Sequence, residues 1–127
     1  MLDPKDVVRL RHMIDAGRKA AALVAARSRD DLDLDETLLL ALTRLLEIFG
    51  EAAKAVSEDC RAANPHVGWR SIAGMRDRLI HAYFDVDRDI IWRVAHDQIA
   101  DVVNQLEGIF LNTRVKQGDG SSKDGGR

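Results

Sequence analysis

Apolar residues recur at alternating steps of three and four along most of the chain, and that period constrains the fold more than any other feature. Val7, Leu10, Ile14, Gly17, Ala21 and Val24 form one series. Leu38, Leu42, Leu45, Phe49, Ala52 and Val56 form a second, and Ile91, Ala95, Ile99, Val102, Leu106 and Ile109 a third. A helix turns 100° per residue, so each series gathers on one stripe that must be buried against another element. Leu39, Leu46 and Ala53 widen the second stripe, as expected for a helix covered on more than one side. Only two prolines occur in 127 residues, so little interrupts such helices.

Capping residues give the expected boundaries. Asp3-Pro4 pairs a capping carboxylate with a proline at the first helical position, and Asp6 suits the positive end of the helix dipole. A first helix is expected over about residues 4–28, followed by the polar connection S-R-D-D-L-D-L-D. A second should run from about Asp35 to Ala63, where Asn64-Pro65 stops it. After N-P-H-V-G, the stretch W-R-S-I-A-G-M-R-D-R-L-I-H-A-Y-F is expected as a short third helix with Ile72, Met75 and Leu79 inward. Asp85 and Asp87 offer caps for a fourth. The fold expected is an all-α, up-and-down bundle over residues 1–116, with 117–127, Q-G-D-G-S-S-K-D-G-G-R, as a disordered polar tail.

Composition narrows the function classes. A hydrophobic fraction of 46% and a charged fraction of 31% belong to a soluble globular chain. The net charge of −2 argues against a general nucleic-acid binder held by a large positive field, though not against a local basic patch. Cys60 is the single cysteine, so no intrachain disulfide is expected and a reducing cytoplasm is the simplest location. No apolar run approaches the roughly 18–20 residues of a membrane span, and M-L-D-P-K-D lacks the apolar core of a signal peptide. One Cys and four scattered His give no zinc spacing, and neither G-x-S-x-G nor a phosphate-binding glycine loop is present.

One stretch carries more chemistry than packing requires: M-R-D-R-L-I-H-A-Y-F-D-V-D, residues 75–87. On a continuous helix Arg76 and His81 would stand about 140° and 7.5 Å apart, bordering one face. Asp77 and His81 would be one turn apart, close enough for the carboxylate to orient the imidazole. Tyr83, seven residues beyond Arg76, would share its stripe. The spacing R-x4-H alone means little, because 14 Arg and 4 His produce it about 0.4 times by chance. A second match, Arg61 to His66, runs through Asn64-Pro65 and is assigned to chance. Glu51, inside I-F-G-E-A-A, is a candidate buried carboxylate, and Trp69 and Trp92 are candidate core anchors.

The longer pattern is far more specific. L-E-I-F-G-E-A-A-K, then N-P-H-V-G-W-R-S-I-A-G-M-R-D-R-L-I-H-A-Y-F-D-V-D, then I-I-W, resembles the HepT-like branch of the HEPN superfamily over roughly residues 5–112. The signature R-x4-H-x-Y falls on Arg76, His81 and Tyr83, with Pro65 and Trp69 before it and Asp87 and Trp92 after. Asp77 stands where the superfamily often has Asn. The resemblance implies a four- or five-helix bundle that forms a homodimer, bringing two copies of the motif into one cleft. It implies a metal-independent endoribonuclease without a cofactor, acting as the toxin of a type VII toxin–antitoxin pair. Arg76 and His81 are then catalytic, Asp77 supports them, and Tyr83 accepts AMP from a minimal nucleotidyltransferase antitoxin.

Elementary chemistry is compatible with that expectation. RNA brings its own nucleophile, the 2′-hydroxyl, so cleavage needs proton transfer, which suits His, and charge stabilisation at phosphorus, which suits Arg. The alternative is a non-catalytic dimeric module that binds a nucleotidyltransferase or nucleic acid.

Overall fold

The structure, a computed structural model, describes residues 2–82 and 85–126, with side chains at all of these except 81–82 and 113–126. It is an all-α bundle whose long elements are α1 (Pro4–Val24), α3 (Glu36–Ala55) and α8 (Ile99–Gly126). Between them stand the short helices α2 (Asp31–Leu34), α4 (Glu58–Ala63), α5 (Trp69–Ala73), α6 (Met75–Leu79) and α7 (Arg88–Arg93). A minimal ladder pairs β1 (Ile80–Ala82) with β2 (Asp85–Val86). Among the described residues, no helix is long and apolar enough to cross a membrane.

The first helix starts as its sequence dictates. The Asp3 carboxylate accepts from the Lys5 amide at 2.7 Å, and Pro4 occupies a position whose N–H would have no partner. α1 then lies antiparallel to both long neighbours. Asp6 near its start meets Ser57 just after α3, while Arg11 covers Phe110 and the later Arg18 pairs with the earlier Glu107. Gly17 permits a close approach, since a Cβ there would stand 2.6 Å from Val103 Cγ2 and 3.1 Å from Phe49 Cε1. Leu10, Met13, Leu42, Leu46, Phe49 and Leu106 fill the space between these helices and are wholly buried.

Two long helices differ from the expected outlines. The first ends at Val24 rather than near residue 28, because Asp31 accepts from the Ser28 amide at 2.8 Å and Arg27 pairs with Asp35, drawing the chain into a turn and then α2. The second is broken at Val56-Ser57. Ser57 donates both its amide (2.8 Å) and its hydroxyl (2.6 Å) to the buried Asp6 carboxylate, while its Oγ accepts from the Cys60 amide and caps α4. A side chain expected to serve only the α1 dipole therefore ties α1 to the α3–α4 corner.

The last rod begins at Asp87, whose carboxylate accepts from the Ile90 amide at 3.1 Å, while Asp85 belongs to β2. Helix continues through α7 and a π-helical segment, Val94–Gln98, into α8. Val94 and Ala95 both face inward there, and further along Val103 is buried where Val102, half-buried, was expected. The backbone is helical to Gly126, with side chains described to Asn112, and the polar tail expected after residue 116 lies outside those side chains.

Candidate functional site

One helix was expected over residues 69–84; the described part, 69–82, is three elements. α5 stops at Gly74, whose amide donates to Arg70 O at 3.0 Å, and α6 restarts at Met75 and stops at Leu79. Glycine is a poor helix former, which explains the break. Beyond Leu79 the β-branched Ile80 takes extended geometry, φ −122° and ψ 106°, and pairs with Val86. The Asp87 amide donates to Leu79 O at 2.7 Å, so the strand pairing and the start of α7 claim the backbone that another helical turn would need. Trp69 is buried and anchors the entry, donating from Nε1 to Asn64 O at 2.9 Å.

This corrects the geometry expected of the motif. Arg76 and Asp77 lie on α6, but the backbone of His81 lies on β1, so neither the 140° relation to Arg76 nor a one-turn relation to Asp77 applies. The His81 side chain and the whole of Tyr83 lie outside the described residues. What stands in view is a sharp corner: Met75 and Leu79 point inward and are buried, while Arg76, Asp77 and Arg78 are exposed. Arg78 Nη2 donates to Ser71 O at 3.1 Å, bracing the corner across the Gly74 break.

Arg76 reaches a partner the sequence did not announce. Its Nε donates to Glu47 Oε2 on α3 at 3.2 Å, with the Arg76 side chain 58% exposed and Glu47 only 17%. The reach depends on Gly50, one turn further along α3, where a Cβ would come within 3.0 Å of Ile72 O. Glu51, the expected buried carboxylate, is instead exposed and pairs with Arg44 at 3.5 Å. The available signal was a carboxylate inside L-L-E-I-F, which fits Glu47 equally well; the helix phase separates the two.

Flanking charges are largely spoken for. Arg29 bonds Asp89 at 2.7 Å and Asp33 at 3.3 Å, and Arg88 meets Asp33 at 3.6 Å, joining the α2 connection to α7. The hydrogen bond to Asp89 is the main reason the Arg29 guanidinium is held above its ordinary pKa. Trp92 is half-buried rather than a full core anchor and stacks on His96 with ring centres 4.8 Å apart. Two open grooves run along α1, about 570 Å³ against α8 and about 520 Å³ against α3, and neither is lined by Arg76 or Asp77. The motif arginine stands on an open surface.

The class is given by comparison with known proteins. The family model "Ribonuclease HepT-like" matches residues 13–109, so the chain belongs to the HepT-like family. It is similar to "Putative RNase MJ0125" of Methanocaldococcus jannaschii, 36% identical over 91 residues that cover 68% of this chain and 78% of that one. It is also similar to "Probable ribonuclease HepT" of Thermococcus cleftensis, 38% identical over 78 residues, covering 61% of this chain and 71% of that one. "Putative RNase TTE0752" of Caldanaerobacter subterraneus is 37% identical over 101 residues, covering 80% and 90%. No solved structure matches at comparable significance.

Proposed function

We propose that this protein is a metal-independent endoribonuclease acting as the toxin of a toxin–antitoxin pair. The observation that carries the reading is the family match over residues 13–109, which spans the whole R-x4-H-x-Y corner. His81 moves the proton between the RNA 2′-hydroxyl and the leaving 5′-oxygen, and Arg76 stabilises the charge that builds on the phosphate. Asp77 supports that pair from the same corner. A single exposed corner cannot enclose a phosphate, so two copies face each other across a two-fold axis and form one cleft.

Control runs through Tyr83, the proposed acceptor of AMP from a minimal nucleotidyltransferase antitoxin. The added phosphodiester carries negative charge, and the nucleoside adds bulk, where an RNA phosphate must approach; both effects exclude substrate. The test is expression in cells. The wild type should arrest growth, His81→Ala should not, and co-expression with a nucleotidyltransferase should add one AMP to the wild type and none to Tyr83→Phe by intact-protein mass. Harmless wild-type expression contradicts the toxin role. Full neutralisation of an unmodified wild type contradicts control by AMP transfer.

A further inference from the structure

We infer that Glu47 is a positioning residue for Arg76, holding the guanidinium by one edge so that the other faces the RNA phosphate. The inference rests on the ribonuclease reading of Arg76 given above.

The geometry is one-sided. Glu47 Oε2 takes the Nε–H at 3.2 Å, and among the described residues Nη1 and Nη2 have no partner. An arginine fork binds a carboxylate or phosphate with two parallel N–H groups, and the Nη1–Nη2 edge presents such a pair. A guanidinium that is 58% exposed on a five-residue helix would otherwise sample many rotamers. Glu47 can restrict it because the carboxylate is itself restricted: only 17% exposed, on the 20-residue helix α3, with Leu46 and Phe49 beside it wholly buried. The close α3–α5 approach at Gly50 sets the distance between the rigid helix and the corner.

Charge adds a second consequence. Glu47 partly cancels the cation that attracts RNA, so its removal should leave ground-state binding intact or tighter while harming the step that needs an aligned arginine. A carboxylate that merely held the fold would not produce that split.

The experiment compares wild type, Glu47→Ala, Glu47→Gln, Arg76→Ala and the Glu47→Ala/Arg76→Ala pair, all full-length, on one RNA oligonucleotide. Misalignment of about 1 Å can cost about 10²-fold, so Glu47→Ala should lose about 10- to 100-fold in kcat with KM unchanged or lower. Glu47→Gln retains an acceptor oxygen and should recover part of the loss. In the Arg76→Ala background, Glu47→Ala should cost nothing further, because its effect runs through the arginine. Wild-type kcat in Glu47→Ala overturns the inference, as does an equal loss in both backgrounds, which would give Glu47 a role of its own. An NMR readout needs no turnover: the Arg76 Nε–H resonance, assigned by its absence in Arg76→Lys, should exchange slowly in wild type and fast in Glu47→Ala. Fast exchange in wild type removes the contact and the inference with it. A protein that keeps the slow Nε–H but cuts no RNA overturns the ribonuclease reading and the catalytic use of the pair. One that cuts RNA with no response to Glu47→Ala overturns this inference alone.

Discussion

The packing of α1, α3 and α8 and the corner at residues 69–88 are held by different means. In the first, Leu10, Leu42, Leu46, Phe49 and Leu106 are wholly buried, and the buried polar side chains among the described residues are Asp6 and Thr43. Thr43 bonds Leu39 O within its own helix, and Asp6 is satisfied by Ser57. The corner is built on the five-residue helices α5 and α6, too short to be stable alone. Besides the buried Trp69, Ile72, Met75 and Leu79, it depends on individual hydrogen bonds: Trp69 to Asn64, Arg78 to Ser71, Asp87 to Leu79 and Arg76 to Glu47. Damage to the bundle should therefore be global and damage to the corner local.

The contrast can be broken at several points. Phe49→Ala should have the largest effect, about 3–5 kcal/mol of stability by urea unfolding, because the ring is wholly buried and lies against α1 at Gly17. Cleavage per folded molecule should survive it; a loss there would mean that bundle and corner are one unit. Gly17→Ala puts a methyl 2.6 Å from Val103 Cγ2 and should cost about 1–3 kcal/mol, read as a lower Tm.

At the junction of the two regions, Asp87→Ala removes the cap on α7 and should cost about 1 kcal/mol. Hydrogen exchange should then rise at the 80–82 amides and hardly at all within α3. Uniform acceleration would place the corner inside the cooperative core.

The smallest effect is on pH dependence. The Leu38 amide, and then Arg27, hold Asp35 below its ordinary value of 3.8. A carboxylate depressed in the folded state contributes stability above its unfolded pKa and loses it as pH falls through the folded value. Stability should therefore decline below about pH 4, and Asp35→Asn should make that decline slightly shallower. An unchanged acid limb would mean the cap does not persist in solution.

The bundle was legible because its information is local and repeated. Three stripes in steps of three and four locate the long helices, and Asp3-Pro4, Asp35 and the Asp87 cap mark where helix starts. The ends were less legible, since α3 stops at Ala55 rather than Ala63 and Asn64-Pro65 ends the short α4. The π segment was not legible, since Val94–Gln98 has no composition that forbids an ordinary helix. The corner misled the helical reading for another reason. Gly74 warned of a break, but the turn into β1 depends on pairing with 85–86 and on the Asp87–Leu79 bond, neither visible in a local period. The motif residues could be named from the longer pattern that resembles a known family, not from the R-x4-H spacing alone; the Glu47–Arg76 contact spans 29 positions and needed the fold.

The most direct test of the account is cleavage of RNA by purified protein in EDTA, wild type against His81→Ala and Arg76→Ala, each matched for Tm. The wild type should cut, with 2′,3′-cyclic phosphate ends if the 2′-hydroxyl is the nucleophile, and each variant should lose about 10²–10⁴-fold in rate while staying folded. A wild type that cuts nothing, or variants that cut as fast as it does, would contradict the assignment of this corner as the active site.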